Sequence, residues 1–210
     1  LIQKLEDIPK PVAGSESKHV AVVGTGYVGL VQGTELAEIG HQVIGVDVDK
    51  KKIKKLQKGD SPIYEPGLDE LLQKHLNKNL KFRTDLKSAV RESRAIFIAV
   101  GTPSDTDGSI DLTYVVNAAA AVGEVIHEIK KEEGKISPEN RKIMIIKSTV
   151  TPDVFQKISE RLQEEFGLEL GVDYALASNP EFLREGQARY DVQFPDRIAF
   201  GVDPRMHQEA

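Results

Sequence analysis

The sequence predicts a doubly wound α/β fold, a mostly parallel sheet with helices on both faces. Three observations predict it. After residue 18, short β-rich runs alternate with longer helical patterns. Several of the short runs, such as AIFIAV and IMIIK, are apolar throughout, as strands covered on both faces are. A glycine-rich turn joins the first run to the first helical pattern, which makes the sheet Rossmann-type.

The elements follow in order. Residues 1–17 carry Pro9, Pro11 and Gly14 without sustained periodicity and are read as a flexible lead-in. Strands are expected at His19–Val23, Gln42–Asp47, Leu80–Arg83, Ala95–Val100, Lys142–Lys147, Tyr174–Ser178 and Arg197–Gly201. Helices are expected at 27–39, 49–58, 67–77, 85–93, 112–131 and 153–166. Thr151-Pro152 is expected to open the last, with Thr as cap and Pro in the first helical position. In the helix rich in lysines (Lys50, Lys51, Lys52, Lys54, Lys55, Lys58), Ile53 and Leu56 should turn inward while the cations face water. Residues 18–203 are thus expected to form one domain, with 204–210 opening a continuation. The right-handed crossover rule restricts the strand order.

Composition narrows the function classes. The 210 residues are 40% hydrophobic and 29% charged, within the globular range, with a net charge of -5 that argues against nucleic acid as a partner. No apolar run approaches a membrane span, and the first residues contain no signal-peptide core. A cytoplasmic location is the default expectation. The absence of cysteine excludes disulfides, thiolate metal sites and a cysteine nucleophile within this chain. The five histidines are scattered without metal-ligand spacing. Asp105, Asp107 and Asp111 lack the spacing of a calcium loop and read better as an Asp-Gly turn.

Gly24-Thr25-Gly26-Tyr27-Val28-Gly29 is G-x-G-x-x-G, after a strand and at a helix start. Gly24 would permit the tight turn, Gly26 the close approach of a pyrophosphate, and Gly29 the close packing of helix on strand. N–H groups at the helix start favour phosphates. Asp47 ends the second strand, 18 residues after Gly29. Its carboxylate would accept from the ribose hydroxyls and repel a 2′-phosphate, which favours NAD over NADP.

Three further motifs sit at strand carboxyl ends, where open α/β sheets bind ligands. They are AVGTPS with Thr102, IKST with Lys147, Ser148 and Thr149, and ASNPEFLREG with Asn179, Glu181 and Glu185. Each alone reads as ordinary turn chemistry. Together at one rim they point to a shared site. Glu181 is a candidate general base or orienter of water, and Thr149 a candidate holder of water or a substrate hydroxyl. Those roles suit oxidation of an alcohol by hydride transfer.

The ordered motifs VVGTGYVGL, SPIYEPGLDELL, VGTPS, DGSIDL, IIKSTV and NPEFLREG resemble the UDP-glucose/GDP-mannose dehydrogenase family over about residues 18–203. PIYEPGLDELL is more similar to the UDP-glucose branch. The resemblance implies that Gly24, Gly26, Tyr27, Val28 and Gly29 line the NAD pyrophosphate, and that Asp47 and Lys52 hold the adenosine ribose. It implies that Thr102 and Thr149 contact the nicotinamide half and that Glu185 contacts NAD. It implies that Glu181 handles proton and water, and that Glu181, Phe182, Leu183, Arg184 and Glu185 touch a sugar-nucleotide substrate. The family oxidises the C6 alcohol to a carboxylate with two NAD and one water, through a thioester on a cysteine in a C-terminal half. That half is not in these residues, so the chain is expected to be an NAD-binding portion, inactive alone, of an enzyme that often dimerises. After STV the family often has Pro-x-Gly-Thr where this chain has Thr151-Pro152-Asp153-Val154, which puts the loop after Thr149 in question. Other readings are a GDP-mannose or UDP-N-acetylhexosamine dehydrogenase, a one-step hydroxyacid dehydrogenase, and a non-catalytic NAD sensor. A methyltransferase shares the glycine loop but not the NPEF and KST motifs.

Overall fold

A computed structural model describes residues 17–104 and 108–203. The chain runs β1 (His19–Val23), α1 (Tyr27–Glu38), β2 (Gln42–Val46), α2 (Lys50–Leu56), α3 (Leu68–His75) and β3 (Leu80–Arg83). It continues through α4 (Leu86–Glu92), β4 (Ala95–Ile98), α5 (Thr113–Glu133), β5 (Lys142–Ile146), α6 (Val154–Phe166), β6 (Tyr174–Ser178), α7 (Ala188–Gln193) and β7 (Gly201–Val202). The strand order is β3-β2-β1-β4-β5-β6-β7. All pairings are parallel except β6 with β7. The winding direction therefore reverses between β1 and β4, and the carboxyl ends of β1 to β6 share one edge.

Apolar side chains alternate across the sheet and divide the core in two. Val20, Val22 and Val43 pack with Leu30 and Val31 of α1 and Leu68 and Leu72 of α3. Ala21, Val23, Ile44 and Val46 point the other way and meet α4, α5 and α6 through residues such as Val90, Ile126 and Ile158. This covers both faces, the doubly wound arrangement expected. Asp49 and Asp85 cap α2 and α4 by accepting backbone N–H groups, from Lys51 and Lys52 in one case and Ser88 in the other. Ile53 and Leu56 are buried, and the lysines other than Lys52 are exposed, as the pattern required.

Several elements differ from expectation. The last strand is not Arg197–Gly201 but a two-residue antiparallel pairing of Gly201 and Val202 with β6. Residues before it run along the surface instead, with the Ala199 carbonyl held by the Asn179 side chain at 2.9 Å. Thr151 does not cap α6. Its carbonyl accepts the Val154 N–H in a turn, Pro152 falls in that turn, and the helix begins at Val154. The α7 segment was not expected at all. Strands β2, β4 and β5 stop at Val46, Ile98 and Ile146, because the chain then turns out at the rim. The lead-in up to residue 16, Asp105, Asp107 and the tail from residue 204 lie outside the described residues. Gly108, at a positive φ of 83°, suits the turn expected there.

Ile126 is fully buried, whereas Ile198 is 73% exposed. Ile126→Ala should cost about 2–5 kcal/mol and Ile198→Ala about 0.5 kcal/mol or less, read from urea midpoints by circular dichroism.

Candidate functional site

The β1–α1 turn brings glycine and carboxylate together. Gly24 has φ +94°, and a Cβ there would lie 2.5 Å from the Ala99 carbonyl oxygen. A Cβ on Gly29 would lie 1.9 Å from the Gly24 carbonyl oxygen. Both glycines are thus demanded by packing. Gly26 differs: a Cβ there meets nothing within 4 Å and would project into open space at the helix start. That cradle, open at the N–H groups that begin a 12-residue helix, has the form a pyrophosphate requires.

Asp47 stands beside the turn. Its Oδ2 accepts from the Thr25 N–H and hydroxyl, both at 2.9 Å, and from Lys52 Nζ at 2.7 Å. Its Oδ1 accepts the Asp49 N–H at 3.0 Å. Burial pushes the Asp47 carboxyl up, but these donors outweigh it and hold the group below the usual carboxylate range. Oδ1 keeps lone-pair capacity for a hydroxyl donor.

On the other side of the switch point, a cleft of about 500 Å³ opens between the end of β6 and the segment following α7. Lys147, Asn179, Glu181, Arg184 and Arg197 line it, and Gln32 reaches it from α1. Lys147 is only 8% exposed. Its ammonium donates to Asn179 Oδ1 at 3.1 Å. Burial pushes the Lys147 amine down from the usual lysine range, and the charge of Glu181 partly opposes this. The half-buried Glu181 carboxylate accepts the Leu183 N–H at 2.5 Å. Arg184 is locked to Asp191 by a 2.8 Å backbone contact and a 2.5 Å side-chain contact. The Arg197 guanidinium lies 4.3 Å from the Phe182 ring centre.

The expected residues thus fall into separate groups. Gly24, Gly26, Tyr27, Val28, Gly29, Asp47 and Lys52 surround the β1–α1 turn. Glu181, Phe182, Leu183 and Arg184 line the cleft. Thr102 and Thr149 follow β4 and β5 at the same edge without lining the cleft, and Glu185 is exposed beside it. The Ser148 hydroxyl ties the two strand ends by donating to the Val100 carbonyl at 2.7 Å.

Sequence reasoning missed two buried carboxylates. Glu35, 2% exposed, accepts from Arg189 Nε at 2.7 Å and Gln193 Nε2 at 2.8 Å, fastening α7 to α1. The available signal was an acid on the buried face of α1, beside Leu30, Val31, Thr34 and Ala37. Glu65, 5% exposed, lies in the PIYEPG stretch, where the sequence itself carries no sign that this acid is buried. Among the described residues, no three His, Asp or Glu side chains group as metal ligands, and no helix is long and apolar enough to cross a membrane.

Strand order, switch-point turn and terminal acid define a dinucleotide-binding Rossmann domain. The family model for the NAD binding domain of the UDP-glucose/GDP-mannose dehydrogenase family matches residues 18–210, and the chain belongs to that family. Its cofactor is NAD. The UDP-glucose 6-dehydrogenase TuaD of Bacillus subtilis is 42% identical over 185 residues, covering 88% of this chain and 37% of that protein. A UDP-glucose dehydrogenase structure from Pyrobaculum islandicum matches with TM-score 0.80 and 41% identity, over 94% of this chain and 44% of that one. A ternary-complex structure of GDP-mannose dehydrogenase from Pseudomonas aeruginosa matches with TM-score 0.81 and 37% identity, over 90% and 42%. The chain spans about two-fifths of the length of these relatives.

Because its folded-state pKa is lowered, Asp47 contributes stability above the unfolded value of about 4, and this is lost as pH falls through the folded pKa. The stability gap between wild type and Asp47→Asn should therefore narrow from about pH 6 to about pH 3 in urea melts.

Proposed function

We propose that this chain is the NAD-binding part of a dehydrogenase that oxidises the C6 alcohol of UDP-glucose to the carboxylate, using two NAD per substrate. The observation that carries the reading is the pairing, at one sheet edge, of an open glycine turn with a cleft holding Glu181 and the buried Lys147. Relatives named UDP-glucose 6-dehydrogenase, at 41–42% identity, support the substrate.

In this reading, NAD supplies the hydride acceptor when bound. Gly24 and Gly29 shape the turn, and Gly26, Tyr27 and Val28 border the pyrophosphate. Asp47, backed by Lys52, accepts a ribose hydroxyl at Oδ1 and repels a 2′-phosphate. Thr102, Thr149 and Glu185 face the nicotinamide half. Phe182, Leu183 and Arg184 hold the sugar nucleotide. Glu181 takes up the alcohol proton or orients water, with Lys147 lining the same cleft. Oxidation past the aldehyde needs a nucleophile, and the family resemblance assigns that to a cysteine. These residues contain none, so they do not complete turnover by themselves. The complete enzyme acts as a cytoplasmic homodimer.

A second reading takes GDP-mannose as substrate. The observation favouring it is the fold match to GDP-mannose dehydrogenase at TM-score 0.81, against 0.80 for the UDP-glucose enzyme. A panel of UDP-glucose, GDP-mannose and UDP-N-acetylhexosamine on the complete protein separates them. Two NADH per UDP-glucose is the expected result, and preference for another sugar nucleotide would sink the first reading.

Gly26→Ala tests the cofactor site. Nothing in the fold opposes the added methyl, so the urea midpoint should stay within about 0.5 kcal/mol of wild type. Calorimetry should find NAD affinity reduced by about tenfold or more, as a methyl group blocks the phosphate approach. Unchanged NAD affinity in the folded variant would remove the glycine turn from the binding site.

A further inference from the structure

Glu65 belongs to neither the glycine turn nor the Glu181 segment, yet it joins them. Its Oε2 accepts from the Tyr27 hydroxyl at 2.5 Å and from the Gly186 N–H at 2.9 Å. Tyr27 is the first residue of α1, directly after Gly26. Gly186 follows Glu185, at the end of the segment that carries Glu181. Burial first, and then the Glu65 carboxylate, push the Tyr27 hydroxyl well above its ordinary pKa, so it remains a donor.

The same three pieces of chain meet a second time. Gly67, at φ +75°, lies so close to Arg189 that an added Cβ would sit 2.0 Å from Nη1. Arg189 in turn donates to Glu35 of α1 at 2.7 Å. The loop from Ser61 to Gly67 is therefore clamped between α1 and the 181–193 segment at two points. A charge-assisted hydrogen bond at a buried carboxylate is stronger than a neutral one and holds its donors in a fixed geometry.

We propose that Glu65 is a positioning residue that couples occupancy of the glycine turn to the placement of the Glu181–Gly186 segment, acting through Tyr27. The proposal rests on the glycine turn being the NAD site. A dinucleotide seated there borders Tyr27 and restrains its ring. Through the shared Oε2, that restraint reaches the Gly186 N–H and steadies the segment bearing Glu181.

The test uses the 210-residue chain, NADH calorimetry and amide hydrogen exchange over residues 181–187. In wild type, NADH should bind and slow exchange across that segment. Glu65→Ala should weaken NADH by about tenfold and abolish the slowing. Tyr27→Phe, which removes one hydroxyl, should weaken it by about fivefold and also lose the slowing. The double variant should bind no more weakly than Glu65→Ala alone. Glu65→Gln keeps an oxygen where both donors point and should restore affinity to within about twofold, which a loss of loop packing would not predict.

If wild type does not bind NADH, the glycine-turn reading fails and this inference with it. If wild type binds and slows exchange but Tyr27→Phe and Glu65→Ala behave like it, the coupling alone is wrong. Multiplicative losses in the double variant, or a folded Glu65→Gln as impaired as the alanine, would also overturn it.

Discussion

The close seating of α1 on the β1 turn is the constraint on which the rest depends. With no side chain at Gly29, the helix comes down onto the Gly24 carbonyl, and with none at Gly24, the turn passes beneath Ala99 at the end of β4. That fixes α1 in depth and direction. Everything gathered at the rim hangs from that helix. Tyr27 reaches Glu65, Gln32 reaches the cleft, and Glu35 holds Arg189 and Gln193. At its far end, Glu38 accepts from Lys74 and His75 of α3. One helix thus serves as the common reference for the glycine turn, the loop before α3 and the segment with Glu181.

The polar groups around that helix are arranged to offset their burial. A carboxylate removed from water is costly unless donors replace its solvation. Glu35 receives a guanidinium and an amide, Asp47 an ammonium and three further donors, and Glu65 a phenol and a backbone N–H. A buried ion pair contributes little net stability against an apolar replacement, but it constrains where its partners sit. For a domain that gathers several loops at one sheet edge, placement matters more than a gain of a few kcal/mol. Lys147 differs in kind. Burial pushes its amine down, and it donates to one amide oxygen, that of Asn179, in the cleft it shares with Glu181.

The regular parts of the fold were legible because their signals are local. Fully apolar runs marked β4 and β5, and helical periodicity marked α1 to α6 to within a few residues. Where two local rules competed, the reading slipped. Thr151-Pro152 has the chemistry of a helix start, but the chain spends those residues on a turn and leaves α6 without a side-chain cap. The run RIAFG has strand composition, but the antiparallel pairing meets β6 only at its last two residues, Ala177 and Ser178, so the residues before Gly201 run past the end of β6 and lie on the surface by the cleft. ARYDVQ is too short and too polar to stand out as a helix. It forms α7 because Ala188 packs into the core and Arg189 finds Glu35.

The sequence by itself determined the class of the molecule: a two-sided parallel sheet, a glycine turn at a helix start, an acid after the second strand and three polar motifs at strand ends. Those follow from side-chain period and backbone sterics, which act between near neighbours. Only the tertiary structure decided which motifs share a cavity and which carboxylates are buried. It set Glu181 and Lys147 in one cleft while leaving Thr102 and Thr149 elsewhere on the rim. It paired Glu35 with a residue 154 positions away, and Glu65 with one 121 away. Electrostatic partners are chosen by distance in space after the layers have packed, and no pattern of neighbouring residues carries that distance.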